Sequence, residues 1–148
     1  MSFPARSFPP RGNRTDGGTY AINGLFCKPI FIRNEAVLEI LVHGITYNKT
    51  MWSGLGFGDY YNWHSFASLQ GYYTLAIDRL GHGTNPQHPD PLTIVEGALQ
   101  EEIVQQLIKR VRSSPSNPLG RQFEQITRGS LSSGDTSQNI LLRPRQAY

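Results

Sequence analysis

Apolar positions change their period several times along the chain. From Thr19 to Ile32 they alternate loosely, with Tyr20, Ile22, Leu25, Phe26, Ile30, Phe31 and Ile32 interrupted by Asn23-Gly24. Alternation marks a half-buried strand, and Asn-Gly marks a turn or a bulge. One or two short antiparallel strands are predicted here, ending at the polar connection Arg33-Asn34-Glu35. Residues 36–42 read AVLEILV, a nearly continuous branched run. That suits a strand covered on both faces. Between Tyr60 and Gln70, the residues Tyr60, Trp63, Phe66, Ala67 and Leu69 fall at spacings that share a helix face, and Gly71 is a plausible stop. Tyr72–Ile77 (YYTLAI) is a second strand, rich in aromatic and β-branched residues. A turn at Asp78–Gly83 follows, and Pro86, Pro89 and Pro91 keep the next loop extended.

The last periodic segment is the longest. Ile94, Val95, Ala98, Leu99, Ile103, Val104, Leu107, Ile108 and Val111 fit a period of 3.6, predicting a helix over Thr93–Arg112. Thr93 with Glu96 is a capping-box pattern, and Lys109, Arg110 and Arg112 sit where cations favour the helix dipole. Strand, helix, strand, helix with buried-type strands predicts an α/β protein with a parallel sheet.

Charge separates this body from its ends. The 148 residues carry 14 Lys and Arg against 11 Asp and Glu, a net of +3. Met1–Tyr20 has Arg6, Arg11 and Arg14 against Asp16, and Ser113–Tyr148 has Arg121, Arg128, Arg143 and Arg145 against Glu124 and Asp135. Each end is thus +2, while residues 21–112 are near neutral at −1. Both ends are rich in Ser, Gly, Pro and Arg and poor in apolar periodicity. The expected organisation is a disordered basic segment at 1–18, a folded body at 19–112, and a Ser/Pro/Gly-rich low-order tail at 113–148. Neither tail clusters Lys and Arg with aromatics, so nucleic acid is not the expected partner. No run approaches the roughly 18 apolar residues of a membrane span, and no apolar core of a signal peptide follows the N-terminal charges. The default expectation is a cytoplasmic protein. Cys27 is the single cysteine, so an internal disulfide is excluded; it is expected as a small, partly buried strand residue.

In an open α/β sheet, function collects at the carboxyl ends of strands. Two such ends stand out: His43-Gly44-Ile45-Thr46 after the first buried strand, and Asp78-Arg79-Leu80-Gly81-His82-Gly83 after the second. The pair LVHGITYNKTMW and YYTLAIDRLGHGTN resembles the N-terminal half of an α/β-hydrolase-fold protein of the esterase- or lipase-like α/β-hydrolase-1 type, over residues 19–112. The resemblance implies hydrolysis of a carboxylic ester or related acyl bond. It makes the His43–Thr46 turn the oxyanion-hole loop, with the Ile45 or Thr46 amide as a donor to the charge that develops on the carbonyl oxygen. Gly44 would allow a close backbone path. Asp78, Arg79, Gly81 and Gly83 read as an architectural turn in which Asp78 bonds neighbouring amides. Trp52, Tyr60, Tyr61 and Trp63 are candidates for an acyl pocket, with aromatic packing beneath the sheet edge the more ordinary role. His82, His88 and Asp90 lie close in sequence without a metal-ligand pattern, so no metal and no cofactor is expected.

The family's nucleophile elbow, Gly-x-Ser-x-Gly, is missing. Gly129-Ser-Leu-Ser-Ser-Gly134 has the wrong spacing, and no buried-type strand is expected after the long helix. All four histidines precede the place where the nucleophile would stand, whereas the family order is Ser, acid, His. No triad residue is therefore assigned, and a truncated hydrolase domain is expected. In the family's sheet, the 36–42 strand is flanked by the strand after the Asp78 turn on one side and by the nucleophile-bearing strand on the other. Without the latter it would be an open apolar edge, a site for self-association. A non-catalytic interaction module or self-associating scaffold is the alternative. Complete members of the family are often secreted.

Overall fold

The computed structural model describes residues 18–32, 37–85, 97–113, 117–121, 123 and 125–130. The basic N-terminal segment, the 33–35 connection, the Pro86–Pro91 loop with His88 and Asp90, the Thr93/Glu96 cap and residues 131–148 lie outside them. The elements are strand β1 (Gly24–Cys27), strand β2 (Val37–Val42), helix α1 (Trp63–Leu69), strand β3 (Tyr73–Ile77), helix α2 (Gly97–Ser113) and strand β4 (Gln125–Ser130). Two 3₁₀ turns, Lys49–Trp52 and Gly58–Tyr61, fill the connection from β2 to α1. This is a mixed α/β arrangement.

The sheet order is β1-β3-β2-β4. β1 runs antiparallel to β3, and β2 is parallel to both β3 and β4. Successive side chains of a strand point to opposite faces, which divides the core. Leu38, Ile40, Val42, Tyr73, Leu75 and Ile77 form one layer with Val104 and Val111 of α2 and with Phe123 and Ile126. Val104, Leu107, Ile108 and Val111 recur at 3, 1 and 3 positions, the stripe that a 3.6-residue period turns toward a sheet. The opposite face holds Leu41 and Ala76 against Trp52 and Met51.

Four features differ from the sequence reading. Of the one or two strands expected within Thr19–Ile32 one forms, β1, and the apolar alternation is not carried past it: Ile30, Phe31 and Ile32 lie beyond it and are exposed. Helix α1 is shorter than Tyr60–Gln70 and rotated: His64 and Ala67 are buried, whereas Trp63, Phe66 and Leu69 face outward. The reason is a polar row under the helix. Cys27, Thr74 and Glu39 are register partners across β1, β3 and β2. His64 Nδ1 meets Thr74 Oγ1 at 2.6 Å, and Trp63 Nε1 donates to Glu39 Oε2 at 2.8 Å. Burial pushes the Cys27 thiol and the Glu39 carboxyl upward in pKa, against the bonds from Thr74 and Trp63 respectively, and pushes His64 downward. Helix α1 ends at Gly71 (φ 90), with Tyr72 N–H donating to Ala67 O and Gly71 N–H to Ser68 O, a Schellman cap that needs the left-handed residue.

The third correction is β4, a strand where only loop was expected. Its pattern, QITRGS, offers one buried apolar position, Ile126. Its strand state comes from pairing with β2, not from its own alternation. The loop before it is fixed by the side chain of Asn117, which donates to Arg121 O at 2.8 Å and accepts from Leu119 N–H at 2.8 Å. Arg121 donates to the Tyr73 hydroxyl and lays its guanidinium over the rings of Tyr73 (4.9 Å) and Phe123 (5.2 Å). The fourth correction follows directly. β2 is not an open edge, because β4 covers it from Val37↔Gln125 to Val42↔Ser130. Among the described residues, no helix is long and apolar enough to cross a membrane.

Candidate functional site

The carboxyl ends of β2 and β3 are bonded to each other. His43 follows β2 directly and is 1% exposed. Its Nε2 accepts from Arg79 N–H at 2.9 Å, and its Nδ1 lies 2.7 Å from Gly44 O. A carbonyl oxygen only accepts, so Nδ1 carries the proton and Nε2 the lone pair. Both partners therefore demand the same neutral tautomer. Burial pushes the His43 pKa down; the Gly44 bond opposes this, His82 and Arg79 add to it, and Asp78 opposes it. The His82 ring lies 5.2 Å from that of His43.

The Gly44–Tyr47 turn that follows is strained. Tyr47 N–H reaches back to Gly44 O at 3.4 Å. Thr46 sits at φ 71, so the left-handed residue of this turn is Thr46, not Gly44. A β-branched residue there is a genuine outlier, costing on the order of 1–3 kcal/mol. Ile45 is 65% exposed and Thr46 is exposed. Among the described residues, neither of their amides donates a hydrogen bond.

The second turn is a cradle around Asp78. This carboxylate accepts from Lys49 N–H at 2.7 Å, Thr84 N–H at 3.0 Å, Thr84 Oγ1 at 3.2 Å and the Lys49 ammonium. Burial raises its pKa, but the side-chain and amide bonds from Lys49 and the Thr84 amide outweigh it and hold the carboxyl below its ordinary value. Gly83 (φ 58) is required: a Cβ there would meet the Asp78 carboxylate at 2.3 Å. Gly81 is also left-handed, at φ 76. Asn85 donates to Asp78 O and Arg79 O and accepts from Asn23 N–H, tying the turn to β1. Lys49, Thr84 and Asn85 lie inside the two segments that carry the resemblance, but no role was expected for them. Their only signal was polarity close to the two strand ends.

The proposed pocket aromatics do not share one environment. Trp52 is buried beneath the sheet with Leu41 and Ala76. Tyr60 is 95% exposed, and Trp63 stands on Glu39. What the structure brings together is His43, Gly44, Arg79, Asp78, Lys49 and Thr84. β4 ends at the same end of the sheet, with Ser130 the register partner of Val42. The assembled group is a strained turn, whose exposed Ile45 and Thr46 have amides that donate no hydrogen bond among the described residues, beside a carboxylate-locked loop, an arrangement able to donate hydrogen bonds to an oxyanion. No protein-family model matches the chain, and comparison with curated proteins finds no match.

Proposed function

We propose that the chain is part of an α/β-hydrolase-type acyl-ester site, contributing its oxyanion-side turn without a complete Ser-acid-His triad of its own. One observation carries the reading. A strand parallel to β2 on the side away from β3 is where the resemblance expects the nucleophile-bearing strand, and β4 occupies that side and ends beside His43-Gly44. The amide of Ile45 or Thr46 supplies one donor, since preorganised N–H groups stabilise charge on a carbonyl oxygen without reorganising. Gly129-Ser-Leu-Ser-Ser-Gly134, which begins within the last two residues of β4, does not have the spacing of Gly-x-Ser-x-Gly. The expected outcome is no turnover of p-nitrophenyl butyrate above background and no labelling by a serine-directed fluorophosphonate. Labelling at Ser130 or a neighbouring serine, with matching turnover, overturns the inactive assignment. The oxyanion reading is checked separately by nuclear magnetic resonance. Methanesulfonate, a tetrahedral monoanion, should shift the Ile45 and Thr46 amides ahead of all others, and unmoved amides at saturating anion would end that reading.

A second reading, a non-catalytic interaction module, is favoured by one feature. Ile30, Phe31 and Ile32 lie exposed beside Phe66 and Leu69 of α1, which are also exposed. The two segments are tied by Ile30 N–H to Ser68 O (3.4 Å) and Ser68 Oγ to Lys28 O (3.1 Å), so these apolar groups form one surface.

A further inference from the structure

We infer that His43 is a positioning residue that aims the Ile45 amide outward and clasps the β2 turn to the Asp78 turn, and that protonating its ring opens the second of these contacts while keeping the first. The inference rests on the oxyanion reading above.

Gly44 C=O and Ile45 N–H belong to one planar trans peptide, so they point in opposite directions. Gly44 O is held on the His43 side by Nδ1–H at 2.7 Å and by Tyr47 N–H at 3.4 Å. Fixing the carbonyl fixes the amide, and Ile45 N–H is turned away from His43. Two donors on the carbonyl also polarise the peptide, which makes that N–H a stronger donor. The left-handed φ at Thr46 shows that the chain accepts backbone strain to hold this turn.

In the neutral ring, Nε2 accepts from Arg79 N–H. A proton added at Nε2 sets donor against donor, and this contact is lost. Nδ1 keeps its hydrogen, so the Gly44 contact survives. The groups facing the ring are His82 and Arg79, which oppose its protonation, and Asp78, which favours it but is engaged by Lys49 from the 3₁₀ turn. Burial works in the same direction as His82 and Arg79. The clasp is therefore closed at neutral pH and opens only below the ordinary imidazole value of 6.5.

The test uses the full chain, with the His43 ring nitrogens, the Ile45 and Arg79 amides and methanesulfonate binding followed by nuclear magnetic resonance. At pH 8 the ring should show the Nδ1–H tautomer. On acidification, the Arg79 amide should titrate with the His43 ring while the Ile45 amide holds its position. An Arg79 amide indifferent to the ring overturns the clasp. His43→Phe, which fills the volume without either bond, should weaken methanesulfonate binding by about tenfold, and His43→Asn, which retains a donor, should recover part of it. Equal binding by wild type and His43→Phe overturns the positioning role while leaving the oxyanion reading intact. Absence of binding by wild type overturns that reading instead. The pH titration on wild type stands even if His43→Phe fails to fold.

Discussion

Asp78 is fully enclosed, and its carboxylate is the acceptor for two amides, one hydroxyl and one ammonium. Removing one member of such a group leaves the others buried without partners, a loss larger than the worth of an exposed ion pair. Asp78→Ala should cost about 3 kcal/mol in urea unfolding; a loss below about 1 kcal/mol would show that the cradle does not hold the turn. The sign of its pH dependence follows from a folded-state pKa below the ordinary 3.8. Its contribution is complete above that value and is lost as acid protonates the folded carboxylate. The identity of this residue as a turn anchor was legible, because Asp before a Gly-x-Gly loop has local amides to accept. Its partner Lys49 was not, because 29 positions separate the two and no local pattern links them.

At the level of elements, the legible ones carry their own periodicity. β2, β3 and α2 show continuous or 3.6-period apolar runs, and all three form near the predicted positions. β4 shows neither, because a strand at the margin of a sheet, with one buried apolar residue, takes its conformation from the ladder of its neighbour. Helix α1 is misphased for a related reason: a polar residue, His64, is buried beside Ala67 on the face toward the sheet, where Thr74 gives its ring a partner. β4 is anchored mainly by Phe123 and Ile126, which enter the α2-side core. Phe123 is fully buried and packs edge-on against Tyr73 at 5.1 Å and against Phe26 at 6.3 Å. Phe123→Ala should cost about 3–5 kcal/mol, measured by chemical denaturation. It should also speed amide exchange along β2, whose outer ladder depends on β4. Unchanged exchange at Val37–Val42 would mean that β4 is held by something other than this core.

Across the whole molecule, surface chemistry is uneven. One sheet face is closed by α2, while the α1 side presents Ile30, Phe31, Ile32, Phe66 and Leu69 together. Contiguous exposed apolar surface favours association. Sedimentation equilibrium should show concentration-dependent self-association that Phe31→Ser with Phe66→Ser reduces, and a wild-type monomer at every concentration would remove that route. The expected site of association shifts accordingly, from the edge of β2, which β4 covers, to the α1 face. The sheet order also sets a folding schedule. Leu38 meets Tyr73 across 35 positions, but Val37 meets Gln125 across 88. Closing the longer loop is the later and slower event, because its entropy is lost before its contacts form. During synthesis, β2 and β3 can pair while β4 is still unmade. For that interval one side of β2 waits with its backbone groups unpaired, so the protein's greatest exposure to mispairing falls during its birth rather than in its finished state.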